Sequence, residues 1–229
     1  MSIVAVITAR GGSKRIPHKN VKSFCGKPII AYSIDAALRS SLFDEVMVST
    51  DDVEIADISR QYGARVPFMR STETSNDFAT TADVLAEVLE VYARGGMAFD
   101  EVCCIYPTAP FVTPQKLNEA KRLFDRGCDS VLSAVRFSFP PQRGFVVCEG
   151  RLSWWFPECS NMRSQDLEPI YHDAGQFYFV RSKVIIEERS LIGPYSQPYE
   201  VAEDEAQDID TPSDWKIAEM KFERMLAHE

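Results

Sequence analysis

Residues 3–20 read IVAVITARGGSKRIPHKN: an unbroken apolar run, then a Gly-Gly pair and four Lys/Arg residues within the last thirteen positions. Residues 3–7 read as a strand, and a loop that follows such a strand lies at its carboxyl end, where ligands of parallel α/β sheets bind. Gly11 and Gly12 can adopt backbone angles that other residues resist, so their N–H groups could converge on phosphate oxygens. Arg10, Lys14 and Lys19 would add long-range charge. The string is not GxxxxGK[ST], because Ser13 follows Gly12 and no glycine precedes Lys14, and it is not GxGxxG. Taken alone it fits an ordinary solvated turn as well as it fits a phosphate loop.

The rest of the chain repeats the strand-then-helix rhythm. Residues 29–38 read as a helix opened by Pro28, 45–50 (EVMVST) as a strand, and 53–62 as a helix. RVPFM, 65–69, reads as a short edge strand, because Pro67 cannot donate to a ladder. A long helix follows over 81–93, stopped by Gly95-Gly96, then a buried strand, EVCCIY, at 101–106. In TPQKLNEAKRLFDRG, 113–127, Thr113 can cap a helix, Pro114 fits its first turn and Gly127 can end it. DSVLSAV (129–135) and GQFYFV (175–180) read as strands, with a short helix near 183–189. Thr211, Pro212 and Asp214 announce a final helix, on which Trp215, Ala218, Phe222 and Met225 recur at helical spacing. The alternation predicts a three-layer α-β-α fold around a mostly parallel sheet. The rhythm breaks only over residues 137–170, which carry FSFPP, a hairpin around Glu149-Gly150 and exposed-looking WWFPE. Such an insertion suits an arm or lid on a single domain spanning residues 1–229.

At 229 residues and 45% hydrophobic the chain can bury a sizeable core, and no apolar run approaches the roughly 20 residues needed to span a bilayer. The start, MSIVAVITA, lacks the basic segment of a signal peptide, so the six cysteines are expected as reduced thiols in a cytoplasmic protein. With three histidines and no CxxC spacing, a zinc site is not expected. The net charge of −9 argues against a nucleic-acid partner. Its distribution is uneven. Residues 1–34 hold six Lys/Arg and no acid, and residues 200–229 hold ten acids against three bases. A basic head and an acidic tail suit an anionic ligand and a metal ion, or simply two solvated surfaces.

Within that tail, QDIDT places Asp208 and Asp210 at i and i+2, so an extended segment turns both carboxylates to one face. Two hard oxygen donors can seat Mg²⁺, with water and phosphate completing the shell. An exposed pair of acids ahead of a helix is the plain alternative. Together with the basic loop, the pair supplies what nucleotidyl transfer requires: a triphosphate cradle and a metal that offsets charge at the α-phosphate.

ARGGSKRIPHKN (9–20) resembles the N-terminal signature A-R-G-G-S-K-x-I-P-x-K-N of CMP-sialic acid synthetases, the cytidylyltransferases of nine-carbon 2-keto sugar acids. The resemblance continues in order through GKPIIAYSI, STDD, ATTADV, YPTAPF and QDIDTPSDW, over nearly the whole chain. Within the family, NMRSQDLEPIYHDAGQFYF (161–179) is similar to the corresponding segment of the pseudaminic acid cytidylyltransferases. Three positions depart from the common pattern: Thr8 for Pro, Arg15 for Gly, and Tyr106 where a Gln is common.

The resemblance implies a Rossmann-like nucleotidyltransferase sheet, and CTP and a nonulosonic acid as substrates. It also implies Mg²⁺ as cofactor, and a homodimer formed through an arm like residues 137–170. Arg10, Gly11, Gly12, Ser13, Lys14, Lys19 and Asn20 match its nucleotide-binding signature. Arg70, Thr80 and Thr81 match positions near ribose and cytosine, with Tyr106 beside them. Asp208 and Asp210 match the metal pair, and with Arg10 and Lys19 form the expected catalytic set. Arg163 matches a sugar-side arginine, whose planar fork suits a carboxylate. Gln165, His172 and Asp173 are candidate partners for acylamino and hydroxyl groups, although His172 fits a structural role equally well. Trp154-Trp155 read better as interface anchors than as a stacking platform. The alternatives are the same chemistry on N-acetylneuraminic or legionaminic acid, a nucleotidyltransferase using UTP or TTP, and a non-catalytic nucleotide sensor. A 3-deoxy-manno-octulosonic acid enzyme is disfavoured by its different opening loop.

Overall fold

The computed structural model describes residues 1–227. In chain order its strands are β1 (Ile3–Thr8), β2 (Ser23–Phe24), β3 (Lys27–Pro28), β4 (Glu45–Ser49), β5 (Glu101–Ile105), β6 (Ser130–Arg136), β7 (Phe145–Cys148), β8 (Arg151–Trp154), β9 (Tyr171–Arg181) and β10 (Ser196–Glu200). The helices are α1 (Ile29–Ser40), α2 (Val53–Gln61), α3 (Thr72–Ser75), α4 (Thr81–Arg94), α5 (Pro114–Phe124), α6 (Ser182–Glu188) and α7 (Pro212–Leu226). Six strands form the central sheet in the order β10-β6-β9-β5-β1-β4. Its pairings are parallel except those of β9, which runs antiparallel to β5 and β6.

The alternation of side chains along β1 builds the two faces. Ile3, Ala5 and Ile7 join a core with Ile34 of α1, Ile55 of α2, and Leu117 and Phe124 of α5. Val4 and Val6 join the opposite core, with Leu85, Val88 and Leu89 of α4 and Val184 and Ile185 of α6. Each fully buried aliphatic or aromatic side chain contributes about 1.5–3 kcal/mol, so these two layers carry the fold. A third cluster matters more for function. Ile16, Phe24 and Ile29 pack with Phe111, Ile209, Trp215 and Phe222, fastening α7 and the segment before it against the N-terminal loop. Phe24 meets Trp215 and Phe222 edge-to-face, each at 5.5 Å between ring centroids.

Local signals placed the helices. Thr80 with Asp83, and Thr211 with Asp214, form complete capping boxes, and Thr113 accepts from the Lys116 N–H with Pro114 behind it. The hairpin turn at Glu149-Gly150 takes φ of 50° and 75°, the left-handed pair that a two-residue hairpin loop requires.

Two expectations need correction, and one strand had no counterpart in the sequence reading. RVPFM is not a strand: only Arg65 bridges to β4, and Pro67 has no N–H with which to extend the pairing. The edge strand β10 had no clear signal, because SQPYE lacks apolar alternation; its Pro198 is tolerated since the strand pairs on one side only. Neither Gly11 nor Gly12 sits in the left-handed region. Gly11 is needed for space instead, since a Cβ there would lie 2.7 Å from Asp52 Oδ2, while Gly12 faces open space.

Candidate active site

The carboxyl ends of the adjacent strands β5, β1 and β4 deliver three loops to one rim. They are residues 9–20, residues 50–52 and the YPTAPF turn after β5. Two hollows open there and share Thr8, Arg10 and Pro107. The first, of about 250 Å³, is walled by Arg70, Thr80, Thr81 and Tyr106 and by Asn76 and Asp77. The second, of about 390 Å³, is walled by Ser13, Lys14, Arg15, Lys19, Asn20, Thr108 and Asp210. Of the nucleotide-side residues expected from the sequence, Arg10, Ser13, Lys14, Lys19, Asn20, Arg70, Thr80, Thr81 and Tyr106 line these hollows, and Gly11 and Gly12 line neither.

Each of these side chains is held by a specific bond. Arg70 is buried, with Nε donating to Ser49 Oγ at 3.0 Å and Nη2 to Ser49 O at 2.5 Å; burial lowers its pKa. Thr80 caps α4, and the Thr81 hydroxyl lies 3.3 Å from Tyr106 Oη. The Tyr106 ring packs against Tyr178, whose hydroxyl donates to Asp173. Asn20 serves the loop itself: buried, it donates from Nδ2 to Arg10 O at 2.9 Å. The Gly11 N–H is already taken by Asp51 Oδ1 at 2.9 Å, and Ser13 N donates to Gly11 O at 2.8 Å. The Gly11 N–H therefore already has a partner within the chain. The cationic groups lining the hollows beside it are Arg10, Lys14, Arg15, Lys19 and Arg70.

The acidic segment reaches the same rim. Lys19 Nζ donates to Ile209 O at 2.7 Å and lies 3.5 Å from Asp210 Oδ1, while Arg15 Nη2 pairs with Asp210 Oδ2 at 2.8 Å. Ile209 points into the third core and Asp208 outward, as the extended alternation predicts. Burial, and then the neighbouring Asp210, raise the pKa of Asp208. Two neighbouring carboxylates suit a cation whose remaining ligands come from outside the chain: among the described residues no three His, Cys, Asp or Glu side chains cluster as a closed metal site.

The sugar-side candidates do not converge in one chain. Arg163 holds Asp166 through Nε at 2.7 Å and Nη2 at 3.1 Å, exposed on the arm. Gln165 lines a separate hollow of about 420 Å³ with Arg136, Phe137, Glu200 and Glu203. The antiparallel course of β9 brings His172 and Asp173 to the rim. There His172 Nδ1 contacts Asp173 O at 2.9 Å and its ring packs on Phe137 at 4.7 Å. Asp173 accepts from Gly175 N–H and from Tyr178, so it faces the nucleotide hollow's supports rather than Arg163.

Several site residues escaped the sequence reading. Thr8, Asn76, Asp77, Pro107 and Thr108 line the hollows. Asp77 pairs with both Arg10 (2.9 Å) and Lys14 (2.5 Å), and Glu87 anchors the turn before it. An acid set among cations carries no mark in the sequence, so only proximity reveals it.

A cation-lined hollow beside an acidic pair, at the carboxyl edge of such a sheet, defines a nucleotidyltransferase as the class. Known proteins narrow it. A family model described as Cytidylyltransferase matches residues 4–143. A pseudaminic acid cytidylyltransferase of Campylobacter jejuni is 40% identical over 97% of both chains. A CMP-N,N'-diacetyllegionaminic acid synthase of Legionella pneumophila is 37% identical, again over 97% of both. An N-acylneuraminate cytidylyltransferase A of Danio rerio is 37% identical over 97% of this chain and 51% of its own. Among solved structures, a CMP:2-keto-3-deoxy-manno-octonic acid synthetase complexed with CTP superposes with a TM-score of 0.71. That match is at 20% identity and covers 98% of this chain and all of the other, so it bears on the fold alone. The chain belongs to the cytidylyltransferase family.

Proposed function

We propose that this enzyme transfers CMP from CTP to the anomeric hydroxyl of a nine-carbon 2-keto sugar acid, pseudaminic acid in the first instance, and releases pyrophosphate. The observation that carries the reading is the docking of the two chain ends: Lys19 bonds Ile209 O and Asp210, uniting the basic loop with the acidic pair. The hollow of Arg70, Thr80, Thr81 and Tyr106 would take the nucleoside, and Arg10, Lys14 and Lys19 the phosphates. Asp208 and Asp210 would hold Mg²⁺, which when bound neutralises charge developing on the phosphate. Arg15 and Lys19, now on Asp210, are placed to follow that charge.

Choice of sugar rests on the segment 161–179 and on the full-length similarity to pseudaminic acid enzymes; legionaminic and N-acylneuraminic acids are the competing substrates. We further propose a homodimer formed through residues 137–170, because Phe139, Phe145, Val147, Leu152 and Trp155 stand exposed there. A cytoplasmic setting fits the cysteines, none of which is disulfide-bonded.

The test is incubation with CTP, Mg²⁺ and a panel of nonulosonic acids, followed by mass measurement of the product, with UTP, TTP and ATP in parallel. A CMP-pseudaminic acid mass as the dominant product is expected. Transfer only with another nucleotide, or to no nonulosonic acid, would overturn the reading.

A further inference from the structure

Arg10 and Lys14, proposed above to take the phosphates, are both paired with a single carboxylate of the chain. Asp77 Oδ1 receives Arg10 Nη1 at 2.9 Å, and its Oδ2 receives Lys14 Nζ at 2.5 Å. The loop that carries it is ordered by its own bonds. Asn76 Oδ1 accepts the N–H groups of Phe78 and Ala79, and Arg10 Nη1 also donates to Asn76 O at 3.1 Å. Behind the loop, Glu87 of α4 accepts from Ser71 N, Ser71 Oγ and Thr74 Oγ1, tying α3 to the longer helix. Asp77 is therefore a wall residue of the first hollow, fixed opposite the arginine that the two hollows share.

We propose that Asp77 is an internal competitor for the polyphosphate, displaced from Arg10 and Lys14 when CTP binds and returning to them as pyrophosphate leaves. The inference rests on the phosphate-cradle reading above. A tethered carboxylate competes at high effective concentration, so it lowers the apparent affinity of every ligand that needs these two cations. It also joins the loop after β1 to the loop before α4. A binding site for a tetra-anion gains from such an acid because the tightly held leaving group would otherwise stay.

The probe is inorganic tripolyphosphate, with pyrophosphate alongside, titrated calorimetrically into the full chain without metal. Asp77→Asn and Asp77→Ser are compared with wild type, and each fold is checked by thermal melting. Both variants should bind both anions more tightly, by roughly threefold to tenfold, the range of two exposed ion pairs. Turnover assays should then show a lower KM for CTP and stronger inhibition by pyrophosphate. Weaker or unchanged anion binding in the folded variants would overturn the inference and make Asp77 an ordinary brace for Arg10. Failure of wild type and variants alike to bind tripolyphosphate would instead overturn the phosphate cradle, and this inference with it.

Discussion

The rim of the central sheet and the arm of residues 137–170 handle their side chains in opposite ways. Around the two hollows four cations are paired inside the chain: Arg10 and Lys14 with Asp77, and Arg15 and Lys19 with Asp210. On the arm, β7 and β8 pair only with each other, large apolar side chains face solvent, and Arg163 closes on an acid three residues away. A rim whose charges are already matched can exchange its counter-ions for a ligand without rebuilding. An apolar arm gains free energy only when something covers it. We therefore propose that the nucleotide half is complete in one copy and the sugar half is finished by a second.

The largest break in that comparison should come from the acidic pair. Asp208→Asn and Asp210→Asn should each lower turnover by more than about 100-fold. Their melting temperatures should stay close to wild type, because exposed ion pairs such as Arg15–Asp210 add little stability. Near-normal turnover at saturating Mg²⁺ would remove the pair from the reaction. On the arm, Arg163→Lys should raise the KM for the sugar acid about tenfold and leave that for CTP unchanged, since a point charge replaces a bidentate fork. A raised KM for CTP would move Arg163 to the other half.

The double change Leu152→Ser and Trp155→Ser should give monomers by sedimentation with nucleotide binding retained by calorimetry. A persistent dimer would place the subunit contact elsewhere. Tyr106→Phe should cost about 1 kcal/mol of stability, one hydrogen bond's worth, with a small rise in the KM for CTP. An unchanged melting curve would mean that the Thr81 contact is not formed in solution.

The smallest effect concerns pH. Hydrogen bonds from the Thr80 hydroxyl and N–H hold the Asp83 carboxyl below the usual carboxylate range. Its folded-state pKa is thus under its unfolded one, so its contribution is present above the unfolded value and lost as pH falls through the lowered one. Asp83→Asn should flatten the acid limb of a stability-against-pH curve. An acid limb identical to wild type would show that the capping box carries no such linkage.

Legibility from sequence followed physical signal. Unbroken apolar runs and complete caps exposed β1, β5, α5 and α7, because buried parallel strands and capped helices leave local marks. RVPFM reads as a strand without forming one, and SQPYE forms one without reading as a strand, because edge pairing depends on a neighbour that no local pattern names. The cationic loop and the i, i+2 acids were visible as chemistry, and the family signature named their roles. Asp77 and Glu87 were not visible: an acid that ends beside Arg10 and Lys14 looks like any other exposed acid until the fold closes.

By itself, the sequence determined the layered α/β class, the basic loop after the first strand and the acidic pair before the last helix. Those follow from periodicity, capping and charge, which act over a few residues. Only the tertiary structure decided that the two ends meet. Burial of Ile16 with Ile209, Trp215 and Phe222 brings them together. Lys19, 190 positions away from Ile209, then closes the joint through its 2.7 Å bond to that backbone carbonyl. It also decided that β9 turns back to carry His172 and Asp173 to the rim, and that Arg163 stays apart. Contacts of that range are set by packing, and packing is a property of the whole chain.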